Sequence, residues 1–273
     1  MWGLILPALV GSALAGALSG LLGVCALRLQ LSSVGFAMAH AAFAGAALGL
    51  LVPLPPLLLS LLFALGVAAL LGPVSEFTRL PAEVVLGVSF PIAMALGFVF
   101  LALAPGEAFG SPALALLWGS LLGVGWRDVA LLSGVLVGGG GLIVLFRREV
   151  LSVLLDRRLA EEAGVPARPY LWLILFLIAA AVAVCLKLVG GILIYSLLLL
   201  PASAASQLVY DMKKLLLLAP VFGALSALGG FAASWSLDLP LGAAVALVAA
   251  CAFALATLFS PKRRRPRPAE PGR

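Results

Sequence analysis

Charged residues are scarce in this chain, and histidine is almost absent. Aspartate, glutamate, lysine and arginine make up 10% of the 273 residues, whereas hydrophobic residues make up 64%. An ordinary soluble protein carries about 25% charged residues. The composition therefore excludes a soluble globular fold and indicates an all-α, polytopic membrane protein. No stretch is left for a separate soluble domain, so we expect one membrane domain over residues 1–260 and a disordered basic tail over residues 261–273.

Cysteine is also scarce, and the positive charge is unevenly placed. Cys25, Cys185 and Cys251 lie in separate apolar segments, and no two have the spacing of metal ligands or suggest a disulfide framework. Of the net charge of +6, the tail Lys262–Arg273 contributes +5, from six basic residues and one acid. The basicity therefore belongs to a segment beside a membrane surface and does not indicate binding to nucleic acid.

In place of charged residues, the sequence has long apolar runs. A spanning helix needs roughly 20 apolar residues, and the candidates are Gly3–Leu27, Gly35–Val52, Pro56–Val74, Val84–Ala104, Val129–Phe146, Tyr170–Leu186, Leu188–Tyr210, Leu215–Leu237 and Leu239–Phe259. A shorter run, Ala113–Val124, is either a further crossing or a re-entrant half-helix. Hydropathy thus predicts nine or ten crossings, and the small gaps between some runs widen the expectation to a bundle of about 8–10 helices.

The distribution of lysine and arginine predicts the orientation. The 147–168 connection, the turn with Lys213 and Lys214, and the tail are rich in basic residues, and we expect all three in the cytoplasm. If Ala113–Val124 crosses, both termini are cytoplasmic. If it does not, Arg28 lies in the cytoplasm and the N-terminus outside. Both arrangements remain open at this stage.

Small residues recur along the first apolar run. Gly11, Ala15, Ser19 and Gly23 lie four residues apart. In lipid, such a row lets two helices approach closely, so it predicts a tight helix–helix contact.

The single histidine, His40, lies in the Ala- and Gly-rich stretch 31–49. On a helix, Phe36, His40 and Ala44 lie on one face, one turn apart. A polar ring at membrane depth is costly and tends to face the bundle interior or a watery path. The alternative is a hydrogen-bonded packing residue.

Residues 147–168 form the only sizeable polar connection. Asp156, Ala160 and Gly164 are spaced at four, with charged residues between them. The pattern predicts a short amphipathic helix that ends at Gly164 and Pro166. Such a helix is either a solvated connector or a docking element for a cytoplasmic partner.

At these residues the chain resembles the membrane permease subunits of ABC importers for zinc, manganese and iron. The landmarks, in family order, are Arg28 with the stretch Leu31–Ala41, Pro81–Gly87, Leu117–Leu122, Leu155–Gly164, Gly190–Ala204 and Leu237–Gly242. Each is weak alone, but their shared order and spacing cover nearly the whole chain.

The resemblance implies a fold like that of the cobalamin and iron-siderophore importer permeases. It implies two permease chains, expected to be a homodimer, around a central path in a prokaryotic plasma membrane. It also implies two cytoplasmic ATPases that use ATP, and an extracytoplasmic metal-binding protein that delivers a divalent metal. The chain itself would not be an enzyme. The residues that would contact the ATPase are Asp156, Arg157, Arg158, Ala160, Glu161 and Gly164.

One position departs from the family pattern. The family commonly has an aspartate four residues before the histidine, and here that position is Phe36. An imidazole and a carboxylate one turn apart suit a borderline divalent cation, whereas an imidazole beside an aromatic ring does not. His40 could still act with His40 of the second chain. Glu83 matches an acidic position of the family, and we expect Phe36 and Glu83 to line the path.

Two other classes of function remain open. An intramembrane hydrolase would need a nucleophile and a base, for which Ser32 or Ser33 with His40 is the only formal candidate. A secondary transporter or channel would often carry charges deep in its spans, and none is evident in the sequence. An ABC permease of this fold with a non-metal substrate is the third alternative.

Overall fold

The described part of the chain is a bundle of helices. The computed structural model describes residues 2–105, 116–117, 119, 123–191 and 194–264, and every regular element in these ranges is helical. The helices are α1 (Trp2–Arg28), α2 (Val34–Leu51), α3 (Pro56–Thr78), α4 (Ala82–Leu103), α5 (Trp126–Leu145), α6 (Arg147–Leu155), α7 (Arg157–Glu162), α8 (Ala167–Val189), α9 (Ile194–Leu208), α10 (Met212–Leu237) and α11 (Leu241–Leu258), followed by a 3₁₀ turn at Pro261–Arg264.

Eight of these helices are long and apolar enough to cross a membrane. They are α1–α5, α8, α10 and α11, while α9, with 15 residues, is shorter. The prediction of an all-α, multi-pass membrane protein is therefore confirmed.

The predicted boundary between the sixth and seventh runs is wrong. Helix α8 continues through Lys187 to Val189, because a charged residue in the last turn of a helix can reach water. The chain breaks at Gly190, whose φ of 86° is a conformation that favours glycine. The Gly191 N–H donates to the carbonyl oxygen of Leu116 at 3.0 Å. A second helix, α9, then begins at Ile194. Most of the run Ala113–Val124 lies outside the described residues.

The bundle has two chemically different ends. One end has a cavity lined by Arg28, Glu76, Asp156 and Arg168. We call this end of the bundle the arginine-rich end. At the other, Lys187 Nζ lies 2.8 Å from Asp128 Oδ2 and joins α8 to α5; we call it the Lys187 end.

The two ends of the bundle show in which direction each helix runs. A Cβ on Gly11 would lie 3.0 Å from Leu188 Cδ1, so α1 starts toward the Lys187 end and finishes with Arg28 at the arginine-rich end. Helix α4 ends and α5 begins at the Lys187 end, so the chain makes no net crossing between them. Of the two arrangements, the structure has the one that places Arg28 and the 147–168 connection together.

Helices α1 and α10 meet backbone to backbone. A Cβ on Gly16 would collide with the carbonyl oxygen of Gly223, and a Cβ on Gly223 would collide with that of Gly16. Gly23, a member of the predicted row, instead faces Leu198 of α9. The row therefore correctly predicted that α1 makes a close helix–helix contact. The contact with α10, however, is made by Gly16, which is next to the row member Ala15.

This contact makes a testable prediction. Gly223→Ala should lower the thermal stability of the full chain in detergent, because the new methyl group forces α1 and α10 apart, at a cost of about 1–3 kcal/mol. Gly134→Ala is the matched control: it lies in α5 with nothing within 4 Å of the added Cβ. The control should leave stability unchanged or raise it by about 0.5–1 kcal/mol. Equal melting temperatures for the two variants would contradict the contact.

Candidate functional site

His40 is buried inside the bundle with one side of its ring uncommitted. Its side chain is 2% exposed, and Nδ1 donates a hydrogen bond to the carbonyl oxygen of Phe36 at 2.9 Å. A carbonyl oxygen only accepts, so Nδ1 carries a proton. Nε2 has no hydrogen-bond partner among the described residues. In the neutral imidazole this atom keeps its lone pair, which is what a metal ion binds.

Two aromatic rings contact the imidazole, and a third ring contacts one of these two. The His40 ring lies 4.6 Å, centroid to centroid, from Phe36 and also from Phe90, in edge-to-face arrangements. Phe36 in turn lies 4.3 Å from Phe90 and 5.4 Å from Tyr195. We call these four residues the ring cluster. It joins α2, α4 and α9, and such aromatic pairs add stability beyond the area they bury.

The ring cluster lies at the break between α8 and α9. Tyr195 is the second residue of α9, and a Cβ on Gly191 would lie 3.6 Å from the carbonyl oxygen of Ala39. Phe36, Phe90 and Tyr195 are half-buried whereas His40 is buried. Phe36 and Phe90 thus lie directly against the buried imidazole, and Tyr195 lies behind Phe36.

Glu83 does not join the ring cluster but clamps the starts of two helices. Its Oε1 accepts hydrogen bonds from Ser32 Oγ at 2.5 Å, Ser33 N at 2.9 Å and Ser33 Oγ at 2.7 Å. Its Oε2 is buried and has no partner among the described residues. We call this contact the Glu83 clamp. A carboxylate is well placed there, because the free N–H groups of a helix start attract negative charge.

The Glu83 clamp and the ring cluster are separated by the same number of residues in α2 and in α4. Ser33 precedes His40 by seven residues in α2, and Glu83 precedes Phe90 by seven residues in α4. The two helices start side by side and rise equally, by about 10 Å over seven residues. A contact between Ser33 and Glu83 therefore also brings His40 against Phe90. This equal spacing could have identified Phe90, which the sequence analysis missed together with Tyr195.

The hydroxyl groups that the hydrolase alternative would need have partners other than His40. The hydroxyl groups of Ser32 and Ser33 both donate to Glu83, and the Nδ1 proton of His40 goes to its own helix. No Ser–His pair is therefore formed. Within the described residues there is also no group of three or more His, Cys, Asp or Glu side chains that could hold a metal ion.

The residues of the predicted contact with the ATPase form a compact element at the arginine-rich end. Asp156 separates α6 from α7, and its Oδ1 accepts from the backbone N–H groups of Arg158 at 2.8 Å and Leu159 at 3.2 Å. Arg157 Nε lies 3.1 Å from Glu161 Oε1. The pattern at Asp156 predicted a helix here, and α7 confirms it, with Asp156 as its cap.

The same element has a buried side and an exposed side. Ala160 is 2% exposed and packs with Val153 and Ala167. Gly164, with a φ of 83°, follows the helix, as its predicted place at the end requires. On the other side, Leu155 is 68% and Leu159 is 63% exposed. Two exposed apolar side chains thus lie among charged ones on this side of the element.

The comparisons with known proteins agree with this geometry. The model of the ABC 3 transport family matches residues 1–260. This chain belongs to that family.

Its relatives are similar over nearly their whole length. The manganese transport system membrane protein MntC of Listeria innocua is 28% identical over 262 residues, covering 96% of this chain and 92% of that protein. The high-affinity zinc uptake system membrane protein ZnuB of Haemophilus influenzae is 25% identical, covering 96% and 100%.

A solved structure, PsaBC from Streptococcus pneumoniae in complex with Fab, superposes with a TM-score of 0.86 at 25% identity and covers 96% of this chain and 93% of that one. A second, an inward-facing conformation of a metal-chelate type ABC transporter, has a TM-score of 0.75 at 20% identity and supports the fold. The family, the relatives and the bundle thus agree with one another.

The Glu83 clamp makes a stability prediction. Glu83→Ala should destabilise the full chain by about 1–3 kcal/mol, because it removes hydrogen bonds to a charged acceptor. Glu76→Ala is the control, since Glu76 pairs with Arg168 at 3.1 Å while both side chains are more than 70% exposed. Such a pair contributes about 0–1 kcal/mol. Thermal unfolding in detergent measures both variants, and a larger loss in the Glu76 variant would contradict the clamp.

Proposed function

We propose that this chain is the permease subunit of an ATP-driven importer for a divalent transition metal in the plasma membrane of a prokaryote. The observation that carries the proposal is the buried imidazole of His40, with a free Nε2, in a chain of the ABC 3 transport family. The relatives' names support a metal as cargo, because they mention manganese and zinc.

The transport path in this proposal runs past the ring cluster. Imidazole nitrogen binds zinc, iron, nickel and copper well, whereas manganese prefers oxygen ligands. One imidazole is a weak site, but two chains around a central path bring two His40 side chains to one constriction. Phe36, Phe90 and Tyr195 then act as the movable wall of that constriction, and Phe36 supplies no charge that would trap the ion.

Glu83 lines the cytoplasmic side of the path in this proposal. Its clamp lies two helical turns from the ring cluster, and its Oε2 remains unpaired among the described residues. That oxygen is the nearest acidic group that α4 offers to a cation leaving the imidazole. Glu83 would thus both hold α2 beside α4 and attract the departing ion.

The exposed side of α7 is the proposed contact with a cytoplasmic ABC ATPase. Leu155 and Leu159 offer apolar anchors, and Arg157, Arg158 and Glu161 offer charges around them. When two ATPases close on ATP, this element transmits the movement to the bundle, because Ala160 packs on the start of α8. The path then alternates between outward and inward access.

The orientation follows from the two ends of the bundle. Basic residues favour the cytoplasm, so the arginine-rich end faces inward and the Lys187 end faces outward. An extracytoplasmic metal-binding protein would dock at the Lys187 end. A second copy of the chain would complete the path, and a homodimer is the simplest assembly that supplies two His40 side chains.

A secondary transporter or channel is the competing function. Proteins of that class often carry ionisable residues deep in the membrane. In the described helices, every charged side chain lies in a terminal turn, so the bundle offers no ion-coupling group at its centre. This favours a transporter driven from outside the bundle.

The metal path predicts that two different His40 variants both lose uptake. In proteoliposomes with the ATPase, internal ATP and the external delivery protein, we expect ATP-dependent uptake of one metal from a divalent panel. His40→Ala removes both ring nitrogens, whereas His40→Asn keeps a donor that can reach the Phe36 carbonyl oxygen and lacks Nε2. Both variants should lose most of the uptake. If His40→Asn transports normally, His40 is a packing residue; uptake without ATP would indicate a secondary transporter or channel.

The docking surface predicts the effect of a charge exchange. In Arg157→Glu with Glu161→Arg, the ion pair within α7 can form again, because the two residues remain one turn apart. The local fold should therefore persist while the charges seen by the ATPase are inverted. Association with the ATPase and ATP-dependent uptake should both fall. The control exchanges Arg168 and Glu76, a similarly exposed pair outside α6 and α7; equal loss in both would argue against a specific contact at α7.

A further inference from the structure

A cavity of about 810 Å³ opens at the arginine-rich end, away from the ring cluster. It lies between the ends of α1 and α3, the start of α8, and the α6–α7 element. Four arginines line it, against two acids; they are Arg28, Arg157, Arg158 and Arg168, with Glu76 and Asp156. The cavity therefore carries an excess of positive charge.

The acids near the cavity are already engaged. Glu76 pairs with Arg168 at 3.1 Å, and Arg157 pairs with Glu161 outside the cavity lining. Asp156 Oδ1 accepts hydrogen bonds from two backbone N–H groups of α7. The positive charge of the remaining arginines is thus not cancelled by the acids beside them.

Two of the four arginines lack a counter-charge. In the part of the chain that the structure describes, neither Arg28 nor Arg158 lies within 4 Å of a carboxylate oxygen. The Nε of Arg28 is buried without a hydrogen-bond partner there, and a buried unpaired donor is costly. Lys262 lies nearby: burial and then the Arg28 charge lower the pKa of its ammonium group.

The rest of the cavity is apolar and reaches into the membrane. Leu71 lies seven residues before the end of α3, and Leu175 lies eight residues after the start of α8. Both are therefore about 10–12 Å inside the level where these helices end. Trp172, an amphipathic side chain suited to the membrane interface, lies between that depth and Arg168. The lining thus changes from charged to apolar with depth.

We propose that this cavity binds an anionic phospholipid of the inner leaflet, with its phosphate on Arg28 and Arg158 and an acyl chain along Leu71, Trp172 and Leu175. Basic pockets between membrane helices on the cytoplasmic side are a known mode of recognition of such headgroups. A free phosphate ion would use the arginines but leave the apolar wall without a function. The lipid binds where α6 and α7 meet the bundle, so it stiffens the support of the proposed docking surface.

The experiment uses the full chain in detergent, without ATPase or metal. Phosphatidylglycerol and phosphatidylcholine with identical acyl chains are added in parallel, and thermal unfolding and native mass spectrometry report binding. Phosphatidylglycerol should raise the melting temperature more and remain bound through purification. Arg28→Gln should weaken its binding about fivefold, as expected for one basic group near a membrane surface. Arg148→Gln removes an exposed arginine at the same end, outside the cavity, and should bind normally.

Three results would overturn the proposal. An equal loss of phosphatidylglycerol binding in Arg28→Gln and Arg148→Gln would show only a diffuse effect of charge. An equal rise in melting temperature with inorganic phosphate would show a general anion site. Normal binding of phosphatidylglycerol by Arg28→Gln would show that Arg28 does not hold the lipid phosphate. If Arg28→Gln fails to fold, Arg158→Gln, whose side chain is exposed, provides the same comparison.

Discussion

The hydrogen bonds that Glu83 Oε1 accepts from Ser32 and Ser33 determine how the rest of the candidate site is arranged. They fix the start of α2 against the start of α4 at the arginine-rich end of the bundle. Deeper in the bundle, Gly97 of α4 packs closely against the Phe43 ring of α2. The clamp and this packing hold the two helices in one register, in which His40 meets Phe90 seven residues beyond the clamp. A polar contact at the membrane edge thereby sets the geometry of a polar group at its centre.

The membrane environment explains why the site contains so few polar groups. Each unsatisfied donor or acceptor in lipid is costly, and the described membrane-spanning helices carry charged residues only in their terminal turns. His40 satisfies Nδ1 within its own helix. The break at Gly190 is tolerated for the same reason, because Leu116 accepts the Gly191 N–H. The lone pair of Nε2 has no hydrogen-bond partner among the described residues, so it remains available to a ligand.

Much of the fold could be predicted from the sequence, because hydrophobicity and length specify membrane helices directly. The break between α8 and α9 could not, since Lys187 suggested a boundary that lies at Gly190. The amphipathic element at Asp156 was predictable, because capping residues and a terminal glycine have local causes. Phe90 and Tyr195 were not predicted, because their contacts with α2 depend on how separate helices pack. The path-lining role of Glu83 stays a prediction. Its contact with Ser32 and Ser33 was not predicted, because these serines were considered only as partners of His40 in the hydrolase alternative.

The most direct test of the central claim, that His40 binds the transported metal, is X-ray absorption at the zinc edge. The untagged permease would be loaded with equimolar Zn²⁺. His40 is the only histidine of the chain, so any imidazole scattering from the protein must come from it. The account predicts Zn–N distances of about 2.0–2.1 Å with imidazole scattering that disappears in His40→Asn. A spectrum with oxygen ligands alone, unchanged in the variant, would contradict it.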